Sequence, residues 1–489
     1  MKRAVVVSVL ASLTCGVALA GAARAESPPP RGEDEIFGEP ATPPASQPPA
    51  TPSTPSGTAV PSKPGEEVFG EPGANGEPST RPRDTTFDAI REDPLAIGGQ
   101  LYLRSMVTLS DRGSAGSQAF SMPHLLDLYL DARPEERVRG FISGRLSYDP
   151  TVGAGSTDQL GQSRESTSIV LDQLWLKTDI ARRVFLTVGQ ERVKWGATRL
   201  WNPNDFVNAQ RKDPLTLFDE RTGIPLIKLH VPADTWNIYL LGLFGGASTL
   251  ESPGVAFRVE KAFASAELAL SGVAGKGRRT AFGIDLSTAL GPFDLTAEVS
   301  LTDERDTLEY TGTLDFDTFE TPTGSPRGQW IPRVSAGIQY AFKPNDDDVM
   351  YLGLEAFYNP AGYDDPALYP WLIVQGAFTP FYLGKAYLGL SWVVPQPGNW
   401  DDSSFNVSAL GNLSDSTYLV RLDFSQTLHT RLKLEAYAQT QFGKRGGELH
   451  FALEIPEIPP IPEVLPDGIG PISVPATSVL LGVNLRLSI

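Results

Sequence analysis

One cysteine, Cys15, occurs in the 489-residue chain. It stands in the apolar stretch near the N-terminus, so the chain beyond it supports neither a disulfide framework nor thiolate chemistry. From Gly99 to Ile489 no apolar run of about 18 residues is present, so no membrane-spanning helix is expected there. The four histidines, His124, His230, His429 and His450, stand far apart without metal-ligand spacing. No Gly-x-Ser-x-Gly element and no hydrolase-like Ser/His/Asp set occurs. No catalytic residue, metal site or cofactor is therefore expected. Basic residues are outnumbered, 41 Lys+Arg against 58 Asp+Glu for a net charge of −17, which speaks against a nucleic-acid partner.

What is present falls into three parts. Lys2 and Arg3 precede an apolar stretch of small residues that ends in Ala23-Arg24-Ala25. Residues 1–25 read as a secretory signal peptide cleaved before Glu26. A lipoprotein anchor at Cys15 would want a small residue before it and an aliphatic one three before it, where Thr14 and Ser12 stand. Residues 26–96 read as an acidic, Pro-rich, disordered periplasmic linker. Between Glu26 and Gly99 proline is the commonest residue, and acidic side chains outnumber basic ones by more than two to one. Such a segment buries too little apolar surface to offset its ordering entropy. A short unit occurs in it twice: acidic residues, then Ile36-Phe37-Gly38-Glu39-Pro40, and again Val68-Phe69-Gly70-Glu71-Pro72. Two readings of Phe37 and Phe69 stay open. They dock bivalently on a periplasmic or trans-envelope partner, or they belong to a duplicated spacer.

From 97 to 489 the hydrophobic period becomes two. Phe293, Leu295, Ala297, Val299 and Leu301 alternate with Asp294, Thr296, Glu298, Ser300 and Thr302. Val334, Ala336, Ile338, Tyr340 and Phe342 alternate in the same way, as do Leu432, Leu434, Ala436 and Ala438. Charged residues on one face and apolar ones on the other suit strands between lipid and a watery lumen. The expected fold is all-β: a transmembrane antiparallel barrel of about 18 strands, within a range of about 16–20. With 97–109 as the first strand, the long connections 110–122, 150–168, 195–222, 305–331, 359–368 and 456–475 all follow odd-numbered strands. The short ones, at 134–136, 233–234, 291–292 and 344–347, follow even-numbered strands. Outer-membrane barrels sort loop length this way, with short turns in the periplasm. The expected location is the outer membrane of a Gram-negative-type cell, in contact with lipid and lipopolysaccharide. The terminal strand ends in Leu485, Leu487 and Ile489 on one face and resembles the signal read by the barrel-assembly machinery, although the last residue is not aromatic. Tyr102, Tyr129, Tyr148, Tyr340, Trp392 and Tyr418 are expected near strand ends, as interfacial girdles. Asp401 and Asp402 are expected in an external loop as solvated charge.

The stretch 195–222 stands apart. It is too polar and irregular for a strand, and loops of that length are usually functional or disordered. The elements Gly189-Gln190-x4-Trp195-Gly196, Asn202-Pro203-x-Asp205 and Arg221-x-Gly223-x-Pro225 resemble those of porin-like outer-membrane barrels and relatives of the alginate-type exporters. The resemblance implies a barrel whose third external loop folds inward and narrows the pore. From Arg182 to Lys228 basic residues outnumber acidic ones, the reverse of the chain as a whole. Arg192, Lys194, Arg199, Arg211, Lys212 and Arg221 are the expected anion-attracting constriction residues, because low-dielectric walls focus charge. Trp195 and Trp201 are expected to stack on sugar faces. Gly196, Asn202, Pro203, Asp205, Gly223 and Pro225 are expected to shape the loop, with Arg221 pairing with Asp205 or Asp219 as the plainer role. The function expected is a channel for polar or anionic solutes, with export of an anionic polysaccharide as a special case. The alternative is a non-transporting anchor of a secretion or motility assembly.

Overall fold

The computed structural model describes residues 94–111, 119–153, 155–156, 164–208, 211, 213–215, 221–245, 253–314, 321–345, 348–455 and 472–489. Residues 1–93, with Phe37 and Phe69, and Lys212 lie outside the described residues, so the expected signal peptide and most of the expected linker fall there.

Eighteen strands form one antiparallel barrel. In chain order they are β1 (Leu95–Ser110), β2 (His124–Glu135), β3 (Val138–Tyr148), β4 (Thr167–Ile180), β5 (Val184–Glu191), β6 (Ile224–Ala233), β7 (Trp236–Leu243), β8 (Gly254–Ala262) and β9 (Ala266–Gly275). They continue as β10 (Arg278–Leu290), β11 (Phe293–Asp303), β12 (Trp330–Phe342), β13 (Met350–Tyr358), β14 (Ala386–Pro395), β15 (Ser403–Asn412), β16 (Thr417–His429), β17 (Leu432–Gly443) and β18 (Thr477–Ser488). Each pairs with its chain neighbour, and β18 closes on β1 from Gln100↔Ser488 to Leu109↔Val479. Closure leaves the barrel no free edge strand. No helix among the described residues is long and apolar enough to cross a membrane. One short helix, α1 (Tyr369–Val374), lies in the connection after β13.

Period two sets the two faces. Leu174 and Leu176 are 49% and 52% exposed on the outside, whereas Asp127 and Glu298 are 3% and 0% exposed on the inside. The wall is therefore inverted relative to a soluble β-sandwich, with its apolar side outward and its charges inward. A bulge in β4 adds to the inner set. Register shifts between Ser143 and Gly144 on β3, so the extra residue Asp172 turns inward beside Gln173.

Connections sort by end. Those after even strands are short, the longest being 343–349 and 396–402, and the six long segments expected from the sequence all follow odd strands. Two details differ from expectation. Asp401 and Asp402 precede β15 at the short-turn end, because 386–395 and 403–412 are separate strands. Tyr102 and Tyr129 point inward: Tyr102 is buried and meets Glu435 and Asn484, and Tyr129 lies between outward Leu128 and Leu130. Tyr148, Tyr340, Trp392 and Tyr418 do face outward.

Candidate functional site: an infolded loop at mid-barrel

The described part of the connection between β5 and β6, residues 192–208, 211, 213–215 and 221–223, turns into the lumen and crosses to the wall formed by β10–β14. Two carboxylates on that wall receive it. Glu298, the central residue of β11, accepts the Thr198 N–H and Oγ1 at 2.7 Å each and the Asn204 N–H at 3.1 Å. Glu355 on β13 accepts the consecutive N–H groups of Arg199, Leu200 and Trp201 at 2.9, 3.1 and 2.8 Å. Ser335 on β12 supports Glu355 at 3.2 Å. Asn204 Nδ2 donates to the Ile284 carbonyl of β10 at 2.9 Å. A loop backbone without regular structure carries donors that must be satisfied, and charge-assisted bonds to buried carboxylates are the stronger kind.

Two glycines make this approach feasible. Gly196 has φ +108°, and a Cβ there would stand 2.5 Å from Glu298 Oε1 and 2.8 Å from Asn202 Nδ2. A Cβ on Gly389 of β14 would stand 2.2 Å from Leu200 Cδ1. The loop thus lies directly on the wall.

The expected site residues separate into groups. Arg192 is buried and ion-paired with Asp172, which Arg145 also reaches at 3.2 Å. Arg221 pairs with Asp205 at 2.5 Å, and Asp205 also accepts Asn208 Nδ2 at 2.7 Å. Lys228 pairs with Glu191 at 2.5 Å. Much of the stretch's positive charge is therefore matched locally. Trp195 and Trp201 correct the expectation of open stacking surfaces. Trp195 is packed with Val207, Leu226, Leu241 and Leu243, and Trp201 is 0% exposed among Phe357, Tyr387 and Leu410. They are the hydrophobic anchors of the loop, because a large ring gains most when wholly removed from water. Arg199 and Lys194 remain half-buried, and Arg199 lines a lumenal pocket with Asp294, Thr296, Gln339 and Ser391. Arg211 is also half-buried, with its guanidinium 5.5 Å from the centre of the Tyr382 ring. Asn202, Pro203 and Gly223 are buried in the loop, and Pro225 begins the return through β6.

A second lock joins other long connections to the first. Trp201 Nε1 donates to the Phe381 carbonyl at 2.9 Å. Behind it, Glu448 accepts Tyr387 Oη at 2.6 Å, Asn412 Nδ2 at 2.7 Å and the Leu383 N–H at 3.3 Å. The Glu448 N–H donates to Asp415 at 2.6 Å, and Tyr369 Oη reaches the same carboxylate at 2.9 Å. Burial pushes the Glu448 carboxyl up to about 7, and the nearby Asp415 charge adds to the shift.

Sequence reasoning located the loop but not Glu298, Glu355, Asp172 or Glu448. Each is one of many inward carboxylates, and nothing in its local sequence marks it. Among the described residues no group of three His, Cys, Asp or Glu is placed to hold a metal ion.

These features define a closed antiparallel barrel with an apolar exterior and an infolded loop. No family model and no curated protein matches the chain. Solved structures similar to it include Acinetobacter baumannii OccAB1, at 9% identity over 81% of this chain and 96% of that one, TM-score 0.49. The outer membrane protein opdK from Pseudomonas aeruginosa is 10% identical over 81% and 99%, TM-score 0.46. A triple mutant of Rhodopseudomonas blastica porin is 11% identical over 81% and 100%, TM-score 0.39. At these scores the likenesses carry no argument, and the barrel rests on its own strand pairings.

Proposed function

We propose that this protein is an outer-membrane channel for small polar solutes, with residues 192–223 as its constriction. The observation that carries the reading is the seating of that loop on Glu298 and Glu355, at mid-height of a barrel with an apolar outside. A loop held there by buried charge-assisted bonds keeps a fixed cross-section, as a selective passage requires. Arg199, Lys194 and Arg211 are the basic groups of the proposed constriction, while Arg192 and Arg221 stabilise it through their acidic partners. The anionic preference is accordingly modest. No feature of the described lumen sets a direction of transport or favours a purely anchoring role. Purified protein in planar bilayers should give stepwise conductance. Correctly folded protein that conducts nothing would refute the reading.

A further inference from the structure

Across the barrel from the loop's anchorage, six rings lie on the inner wall of β2–β7 in two groups of three, Tyr129–Phe141–Trp175 and Phe185–His230–Tyr239. Phe141 stacks on its direct cross-strand partner Trp175 at 5.2 Å between centroids, and Tyr129 stacks on Phe141 at 5.9 Å. Further along, His230 lies opposite both Phe185 and Tyr239, with centroids at 5.8 and 4.4 Å. All belong to the inner face. Trp175 sits between outward Leu174 and Leu176, and Tyr239 between outward Ile238 and Leu240. Tyr129, Trp175, Phe185 and Tyr239 keep part of their surface open, with Phe141 and His230 buried among them.

The segment Thr198–Asn204 is pinned to the opposite wall, and Trp195 packs on β6 and β7 only at their long-connection ends, so this arc borders the space left for a solute. Directly opposed residues run perpendicular to their strands, and barrel strands tilt by about 35–45°. The six rings are not one such row: Trp175 faces Gly189 and Phe185 faces Asp179, which steps the second group four residues toward the short-turn end. Polar groups flank the rings. Trp175 Nε1 donates to Gln173 at 3.2 Å, and His230 Nε2 meets Asn237 Oδ1 at 3.0 Å. Arg139 lies over Trp175 at 5.4 Å and Lys177 over Phe185 at 5.3 Å. Net charge beside the arc is largely cancelled. Arg139 pairs with Asp131 at 2.8 Å, and Arg258 with Asp285 at 2.7 Å and Glu260 at 2.6 Å.

Open apolar ring surface, hydrogen-bonding neighbours and balanced charge together match a neutral polyhydroxylated ring. Its C–H face lies on aromatic carbon while its hydroxyls reach amides and charged tips. We propose that this arc is a saccharide-binding track. The inference rests on the channel reading for the solute's route, but binding itself is separable from conduction.

The test uses full-length protein in planar bilayers with neutral maltooligosaccharides of graded length. The sugars should interrupt the ion current, and longer ones should do so at lower concentration. Trp175→Ala should raise the half-blocking concentration about tenfold, and Trp175→Phe, which keeps a ring, by no more than about threefold. The outward Trp392→Ala should leave it unchanged. Equal block of the wild type and Trp175→Ala, or conduction with no block by any sugar, overturns the track and leaves the channel standing. Should the protein not conduct, calorimetric titration of detergent-solubilised protein decides: sugar binding weakened by Trp175→Ala supports the track, and no binding overturns it.

Discussion

Glu298 on the barrel wall and Thr198 on the loop, far apart in sequence, meet through two 2.7 Å hydrogen bonds to one carboxylate oxygen. That contact, with its counterpart at Glu355, fixes where the loop lies. Removing either carboxylate leaves buried N–H groups without acceptors, at about 1–3 kcal/mol each. Glu298→Ala and Glu355→Ala should each lower thermal stability measurably. In single-channel records they should raise current noise, because the loop then samples several positions. Glu→Gln at either site, which keeps an acceptor, should be milder. A double variant as stable and quiet as the wild type would show that the carboxylates do not hold the loop.

Gly196→Ala tests the same seat from the other side. The new methyl group would press on Glu298 Oε1 in a backbone conformation that strains any other residue. The barrel should still assemble, since Gly196 pairs in no strand, while the mean conductance shifts. Unchanged conductance would mean that the loop absorbs the methyl group without moving.

Glu448 makes the second lock depend on pH. Its folded carboxyl is raised to about 7 from an ordinary value near 4.5, so folding favours the protonated form. That contribution is fully present below about pH 4.5 and is lost as pH rises through about 7. Hydrogen exchange at Leu383 and Leu449 should therefore be slower at pH 5 than at pH 8, after correction for intrinsic exchange rates. Glu448→Gln should flatten the difference. Equal corrected protection in the wild type at both pH values contradicts this.

Topology gives a further test. Epitope tags at Asp306, in the long connection after β11, should be reached by antibody on intact cells, whereas tags at Asp234 or before residue 94 should not. Surface labelling at Asp234 would invert the proposed orientation.

Much of the architecture was legible because its causes are local. Lipid on one side and water on the other impose a period of two, as in Phe293–Asp303, and long connections can lie only where they need not be packed into tight turns. The loop announced itself through Trp195-Gly196 and Asn202-Pro203 between two alternating segments. What stayed hidden depends on distant pairing. Glu298 and Glu355 look like any other inward acid until the loop arrives on them. Trp195 and Trp201 read as open surfaces, because burial is a property of the folded lumen. Asp172 joined the inner wall through a bulge, which breaks the period from which faces are read. The arc from Tyr129 to Tyr239 emerges only from cross-strand register, and Asp401-Asp402 changed ends once two adjacent strands were separated.

The central claim is that residues 192–223 narrow a conducting pore, and the chain's lack of any cysteine after Cys15 makes a direct measurement practical. Arg199→Cys places one thiol in the lumen, with Asp306→Cys as the control on the long connection after β11. During bilayer recording, a bulky charged methanethiosulfonate reagent should lower the Arg199→Cys conductance stepwise, and reductant should restore it. The same reagent on Asp306→Cys should change the current far less. Confirmed modification of Arg199→Cys with no change in conductance, or an equal change at both positions, would contradict the claim.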